Sequence, residues 1–142
     1  MVKALLHHIV GTISVIFYFV NTVIWATPII VLSVFKLIPV AQWRRFISYL
    51  LDTCATAWIG VNNINQRISS GTTFHVKGLE QLTKNDWYLV TANHQSWVDI
   101  LVLQRVFNRK IPFLKFFLKK ELIYVPILGL AWWALDFPFM RR

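Results

Sequence analysis

The feature that most constrains the fold is a long apolar segment near the N-terminus, residues 9–38. It contains no charged side chain before Lys36. About 20 consecutive apolar residues are enough to cross the hydrocarbon core of a bilayer, so this segment is long enough to be a membrane anchor. Two arrangements fit: a single tilted or kinked transmembrane helix, and a re-entrant or two-helix element in one leaflet that turns near Pro28.

The position of the basic residues predicts how such an anchor is oriented. Nearly all Lys and Arg residues, beginning with Arg44 and Arg45, follow the apolar segment. The positive-inside rule therefore predicts that the rest of the chain faces the cytoplasm, from the inner membrane if the protein is bacterial. A cleaved signal peptide is disfavoured, because the segment exceeds the roughly 7–15 apolar residues of a signal and no small-residue cleavage pattern follows it.

Composition favours the same membrane association. The 142 residues are 56% hydrophobic and only 15% charged, with a net charge of +9. Basic chains bind nucleic acids or anionic membranes, but no stacking or groove-binding motif accompanies these charges. We therefore expect membrane lipids as partners and no nucleic acid. The single cysteine, Cys54, excludes an internal disulfide, and the four histidines lack a ligand spacing, so we expect no metal.

The rest of the chain alternates helical and extended patterns. Apolar residues at three-to-four spacing predict a second helix over about 41–64, at the membrane interface or under the body. Strands are predicted at 73–76 and 87–91, and a helix at 97–107. A short strand over 111–113 and a helix over 116–122 follow.

This alternation predicts an α/β domain on an N-terminal membrane-embedded helical anchor. The expected boundaries are 1–40 for the anchor, 41–71 for an interfacial helix and linker, and 72–142 for the domain. Basic and aromatic residues interleave over 109–120. They fit either a solvated basic face with extended side chains or a surface that contacts anionic lipid headgroups or a substrate phosphate.

The candidate for chemistry is His94, which precedes Asp99 by five residues. On one continuous helix the two side chains would point about 140° apart, so they meet only if His94 lies before the helix. Residues 96–99 match the capping box S-x-x-[DE], with Ser96 at the N-cap and Asp99 in the first turn. His94 then lies in the strand-to-helix turn, beside the electropositive helix end.

That placement suits general base catalysis. A neutral imidazole takes a proton from an attacking hydroxyl while a carboxylate orients the ring. Neither Cys54 nor any serine lies in a nucleophile context such as G-x-S-x-G, which favours direct transfer to a hydroxyl acceptor. The same spacing also fits a helix cap in which Asp99 has no catalytic role.

The surrounding stretch WYLVTANHQSWVDI, residues 87–100, resembles the first motif of the glycerolipid acyltransferases, the 1-acylglycerol-3-phosphate acyltransferases. In that family an apolar strand leads to N-H-x-S-x-x-D (an HX4D motif). The matching residues are Asn93, His94, Ser96 and Asp99. The resemblance implies that His94 is the catalytic base, that Asp99 is its partner, and that the flanking Asn93 and Ser96 contact substrate.

Three flanking segments extend the resemblance over residues 72–142. Residues 74–80 resemble a lead-in strand ending in V-x-G-x-E, and residues 119–122, with Pro126 and Gly129, resemble K-x-E-L…P…G. The final F-M-R-R resembles the second motif, F-I-D-R, with a basic residue in place of the acid. The resemblance implies that Arg142 and Lys120 hold the substrate phosphate.

The resemblance is to the N-terminal part of the family's catalytic domain. The third motif, of the F-P-E-G-T-R type, and the fourth are not present, so we expect a truncated chain. The C-terminal residues resemble the subgroup of lysophospholipid acyltransferases that includes the bacterial YihG-type proteins.

The function implied is O-acyl transfer from acyl-CoA or acyl carrier protein to a lysophospholipid such as 1-acylglycerol 3-phosphate, in phospholipid biosynthesis or remodelling. No cofactor is expected, because the acyl donor is itself a substrate. Two alternatives stay open. One is a non-catalytic membrane-anchored fragment or interaction protein. The other is a sister acyltransferase with glycerol 3-phosphate or a glycerophosphodiester as acceptor.

Overall fold

The computed structural model describes residues 2–93 and 95–141, and this part of the chain is mostly helical. The α-helices are α1 (Val2–Phe35), α2 (Ala41–Ser69), α3 (Trp97–Phe107) and α4 (Leu128–Ala134). Two short 3-10 helices cover Leu79–Gln81 and Lys120–Tyr124. Two short strands are β1 (Leu118–Lys119) and β2 (Phe139–Met140).

Helix α1 contains Pro28 without ending there. A proline removes one backbone donor from a helix, and an otherwise apolar, well-packed helix tolerates that loss. The predicted turn near Pro28 therefore does not form. The chain turns instead between α1 and α2, and α2 runs back along α1 as the second arm of a helical hairpin.

The two arms of the hairpin are joined by polar side chains. Asn21 Nδ2 donates to Asn62 Oδ1 at 2.8 Å, and Trp58 Nε1 donates to Thr22 Oγ1 at 3.2 Å. Further along, Asn65 Nδ2 donates to the hydroxyl of Ser14 at 2.9 Å. Because residue numbers rise on one helix as they fall on the other, these bonds fix an antiparallel pairing.

The outward surface of α1 has the opposite character. Leu5–Phe35 has a mean hydropathy of 2.1, and only 17% of its most apolar window is buried. By length and composition this helix can cross a membrane. On α1 polar side chains face the partner helix and apolar side chains face outward. This distribution is the reverse of that on a helix of a water-soluble protein and is typical of helices in lipid. This arrangement supports a membrane link for the N-terminal helix.

A single hydrophobic core joins the hairpin to the C-terminal segment. Its fully buried members come from α1, α2, and the chain around β1 and α4. They are Ala26, Ile29, Ile47, Leu51, Ala55, Leu118, Ala131, Ala134, Leu135 and Phe137. The core therefore takes side chains from all three of the segments expected from the sequence, so the anchor and the body pack as one unit.

The predicted sheet is the main difference between sequence and structure. β1 and β2 pair in parallel, with Leu118 opposite Phe139, and these are the two strands within the described residues. The predicted strands at 73–76, 87–91 and 111–113 are not formed. A strand needs a partner for its backbone groups, and here Trp87 and Leu89 are 94% and 82% exposed. The α/β architecture thus rests on one short parallel pair.

Two further elements differ from the sequence prediction. The helix expected over 116–122 is replaced by β1 and the 3-10 helix Lys120–Tyr124, because Leu118 N–H donates to the carbonyl of Pro138 at 2.9 Å. Short apolar runs of this kind do not distinguish helix from strand by periodicity. The helix predicted at 97–107 is confirmed as α3.

Candidate active site

The predicted capping box forms at the start of α3. Ser96 is the N-cap, and its backbone N–H donates to Asp99 Oδ2 at 2.8 Å. The backbone N–H of Gln95 donates to the same oxygen at 2.7 Å. Asp99 N–H in turn donates to the Ser96 carbonyl at 3.1 Å. The structure thus confirms the cap and adds a second backbone donor, from Gln95, that the S-x-x-[DE] pattern does not include.

Two donors on one oxygen fix the orientation of the Asp99 carboxylate. Bonds from backbone N–H groups to an ionised oxygen are short and strong compared with those between neutral groups. The positive end of the helix dipole stabilises the same negative charge. The carboxylate is therefore held in a fixed orientation against the backbone of Gln95 and Ser96.

The other predicted site residues are distributed as follows. His94 and Arg142 lie outside the described residues. Asn93 is exposed in the extended chain immediately before the turn, and Ser96 is exposed at the N-cap. Lys120 is exposed at the start of a separate element, the 3-10 helix Lys120–Tyr124. Local structure thus brings Ser96 and Asp99 together, and no described hydrogen bond or ion pair joins Lys120 to the turn.

Apolar side chains are exposed at the first turn of α3, and a cleft lies at the other end of this helix. Trp97 and Val98, in the first turn of α3, are 66% and 62% exposed. A cleft of about 420 Å³ lies between residues 76–91 and the C-terminal end of α3. It begins at Thr91, close to Asn93 in the chain, and its walls include Val76, Leu79, Leu89, Val106 and Phe107. The cleft is therefore lined mainly by apolar side chains and lies toward the end of α3 that is away from Asp99.

The far end of α3 is held by contacts that the sequence does not reveal. The guanidinium of Arg105 lies 4.3 Å from the ring centroid of Phe74. The same side chain donates to Gln66 Oε1 on α2 at 3.4 Å. Gln104, beside it, is buried. Arg105 therefore ties α3 both to the hairpin and to the extended segment, which fixes the direction in which α3 presents Asp99.

A charged cluster lies away from this site, where the hairpin turn meets the end of α4. Lys36 Nζ donates to Asp136 Oδ2 at 2.6 Å and to the Ala134 carbonyl at 3.2 Å. Burial raises the pKa of the nearby Asp52 carboxyl. Lys115 and Lys36 oppose that rise in pKa, and the charge of Asp136 adds to it. Residues so far apart in the chain leave no local signal in the sequence.

One comparison with known proteins matches the part of the chain that contains this site. Residues 73–142 match the model of the family described as Acyltransferase. No curated protein and no solved structure matches the chain significantly. The matched region contains the turn, the capping box and the C-terminal segment. The match supports the glycerolipid acyltransferase family for residues 73–142.

Proposed function

We propose that this protein is a membrane-anchored O-acyltransferase that acylates a lysophospholipid such as 1-acylglycerol 3-phosphate. The observation that carries the proposal is the Asp99 carboxylate, held by the backbone N–H groups of Gln95 and Ser96, which follow His94 in the sequence. These residues lie inside the segment that matches the acyltransferase family. His94 comes two residues before the N-cap in the sequence, and we assign it the role of general base.

In this mechanism His94 removes the proton from the free hydroxyl of the acceptor, and Asp99 orients the imidazole and stabilises its positive charge. The acceptor oxygen forms a bond to the thioester carbonyl carbon of acyl-CoA or acyl carrier protein. The tetrahedral intermediate collapses, the carbon–sulfur bond breaks, and the thiolate takes the proton from His94. Backbone N–H groups near the turn are the donors available to the oxyanion.

We assign the substrate phosphate to four basic and polar residues. Arg142 and Lys120 supply positive charge, and Asn93 and Ser96 supply hydrogen bonds beside the reacting hydroxyl. Lys120 and Asn93 are both exposed, as residues that bind a ligand from solution or from a lipid surface must be. Among the acyltransferases, the YihG-type subgroup is proposed from the C-terminal residues 139–142 alone.

The proposed location is a membrane, with the body on the cytoplasmic side. The support is the outward apolar surface of α1 together with its inward polar contacts to α2. A helix of 34 residues is about 51 Å long, which exceeds the roughly 30 Å hydrocarbon core of a bilayer. The segments 1–40 and 72–142 keep their proposed roles as anchor and catalytic domain, and α2, within 41–71, is proposed to lie beside α1 at the membrane rather than alone at its interface.

The test is an assay of the purified chain in detergent with lysophosphatidic acid and labelled acyl-CoA. We expect labelled phosphatidic acid, and its loss in the variant His94→Ala. Equal activity with and without His94 would overturn the mechanism. Parallel assays with glycerol 3-phosphate and a glycerophosphodiester distinguish a lysophospholipid acyltransferase from its sister activities.

A non-catalytic membrane-anchored protein is the second candidate. The observation that favours it is the unpaired extended segment 87–91, which exposes Trp87 and Leu89 directly before the site. A catalytic turn at the end of an unpaired segment is less rigidly held than one at the end of a packed strand. The discriminating assay compares this chain with one extended beyond Arg142. Activity in the longer chain alone would make the present chain a fragment without activity of its own.

A further inference from the structure

One surface of the body is apolar although it lies opposite the core. It is formed by α4 and the 3-10 helix before it, and we name it the α4 surface. Its members are Tyr124, Ile127, Leu130 and Trp133, which are 80%, 38%, 55% and 54% exposed. The other side of α4 is buried through Gly129, Ala131 and Ala134. A helix that is apolar on both sides needs a second apolar environment in addition to the core.

The α4 surface adjoins the apolar exterior of the hairpin. Lys36, at the end of α1, bonds to the carbonyl of Ala134 and to the carboxylate of Asp136. Trp133 precedes Ala134 in the chain, so the α4 surface lies within a side chain's length of the hairpin turn. The exposed apolar residues at that end of α1 and in the turn are Val34, Phe35, Leu37 and Ile38. The two apolar surfaces are therefore neighbours.

The border of the α4 surface is basic. Lys119 and Lys120 are exposed five and four residues before Tyr124, with the exposed Glu121 after them. β-pairing places Lys119 beside Met140, next to the exposed Arg141. Tyrosine and tryptophan are enriched where proteins meet the headgroup region, because their rings are apolar and carry one polar group. Lysine and arginine beside them are attracted to anionic lipids.

We infer that the α4 surface lies in the headgroup region of an anionic bilayer and forms a second membrane contact besides α1. The inference rests on the proposed anchoring of α1 in the membrane. One helix leaves the body free to rotate about the helix axis. A second contact, joined to α1 through the common core and through Lys36, fixes the tilt of the body and hence the height of the active site above the lipid.

The test uses fluorescent labels on the full chain. In a Cys54→Ser background, single cysteines are introduced as Leu130→Cys on the α4 surface, Ile16→Cys on the exposed side of α1, and Lys84→Cys on an exposed turn of the body. Each carries an environment-sensitive dye. The proteins are reconstituted into phosphatidylcholine vesicles with or without phosphatidylglycerol, and lipids with a spin label at known depth act as quenchers.

We expect the dyes at positions 16 and 130 to be blue-shifted and to be quenched by the spin-labelled lipids. The dye at position 130 should be quenched by shallow spin labels, and more strongly when phosphatidylglycerol is present. The dye at position 84 should remain in water. Quenching at 16 but not at 130 would overturn the inference and leave the anchor in place. Absence of quenching at both would overturn the anchor as well. A blue shift at 130 without lipid quenching would mean that protein, such as a second copy, covers the surface.

Discussion

The backbone N–H of Ser96 lies 2.8 Å from Oδ2 of Asp99, and the N–H of Gln95 lies 2.7 Å from the same atom. One carboxylate thus closes the N-terminus of α3 and is held beside the position of the proposed base. A helix cap and a catalytic role for Asp99 are therefore compatible, because the bonds that cap the helix also fix the orientation of the carboxylate.

The first prediction separates these two roles of Asp99. In Asp99→Asn the side-chain oxygen can still accept the bonds from Gln95 and Ser96, so α3 should stay capped. The amide carries no negative charge to stabilise an imidazolium, so kcat should fall by about 10²–10⁴-fold. Asp99→Ala should lose activity and also about 0.5–2 kcal/mol of stability, because the cap is removed. Thermal unfolding and steady-state kinetics on both variants check this, and wild-type activity in Asp99→Asn would contradict the catalytic role.

The second prediction concerns the polar contact between the arms of the hairpin. Asn21 and Asn62 are both buried and joined at 2.8 Å. In a double-mutant cycle with Asn21→Ala and Asn62→Ala, we expect a coupling energy of about 0.6–2 kcal/mol. Unfolding in detergent measures it. The pair Thr53→Ala and Thr12→Ala is the control, because each of these hydroxyls bonds within its own helix. A coupling no larger than that of the control would mean that this bond does not stabilise the hairpin.

A third prediction concerns the ion pair between Lys36 of the hairpin turn and Asp136 of the C-terminal segment: removing the two partners should cost different amounts of stability. The Lys36 side chain is 13% exposed and that of Asp136 is 58% exposed. Asp136→Asn leaves a mostly buried ammonium without its counter-charge, whereas Lys36→Met leaves a carboxylate that water can reach. We expect Asp136→Asn to cost about 1–3 kcal/mol and Lys36→Met to cost less. Chemical denaturation of the two variants checks the order, and equal losses of stability would mean that the pair contributes only its mutual attraction.

The fourth prediction contrasts two glycines. A Cβ added to Gly129 would overlap the carbonyl group of Ile123, 2.6 Å from its carbon atom, and would meet backbone that cannot move aside. Gly129→Ala should therefore destabilise the protein by about 1–3 kcal/mol. Gly11 on α1 has no neighbour within 4 Å of such an atom, so Gly11→Ala should stabilise its helix by about 0.5–1 kcal/mol. Thermal unfolding of the two variants, measured side by side, should show shifts of opposite sign.

The fifth prediction concerns pH. Burial raises the pKa of Asp52 above its ordinary value of 3.8, so the folded protein binds this proton more tightly than the unfolded chain does. The resulting stability is present below pH 3.8 and is lost as the pH rises through the raised pKa. The variant Asp52→Asn should not show this loss of stability with rising pH, and it should be more stable than the wild type at neutral pH. Melting temperatures across that pH range check the slope, and parallel curves for the two proteins would contradict it.

Local patterns in the sequence predicted the elements that depend on local interactions. The apolar run of residues 9–38 predicted a helix long enough for a membrane, because hydropathy is a property of the segment itself. Ser96 and Asp99 predicted the start of α3, because a capping box needs only residues within one turn. The match of residues 73–142 to the acyltransferase family agrees with the resemblance carried by that same short motif.

The tertiary structure decided everything that depends on a distant partner. Trp87 and Leu89 have the composition of a strand, yet the segment is unpaired because a strand is stable only beside another. The partner of Asn21 is 41 residues away, and that of Lys36 is 100 residues away. Nothing within a few residues of Asn21 or Lys36 indicates which group it will meet. Such groups find their partners only when the whole chain has packed. The sequence alone therefore could not predict the register of the hairpin or the placement of the body against it.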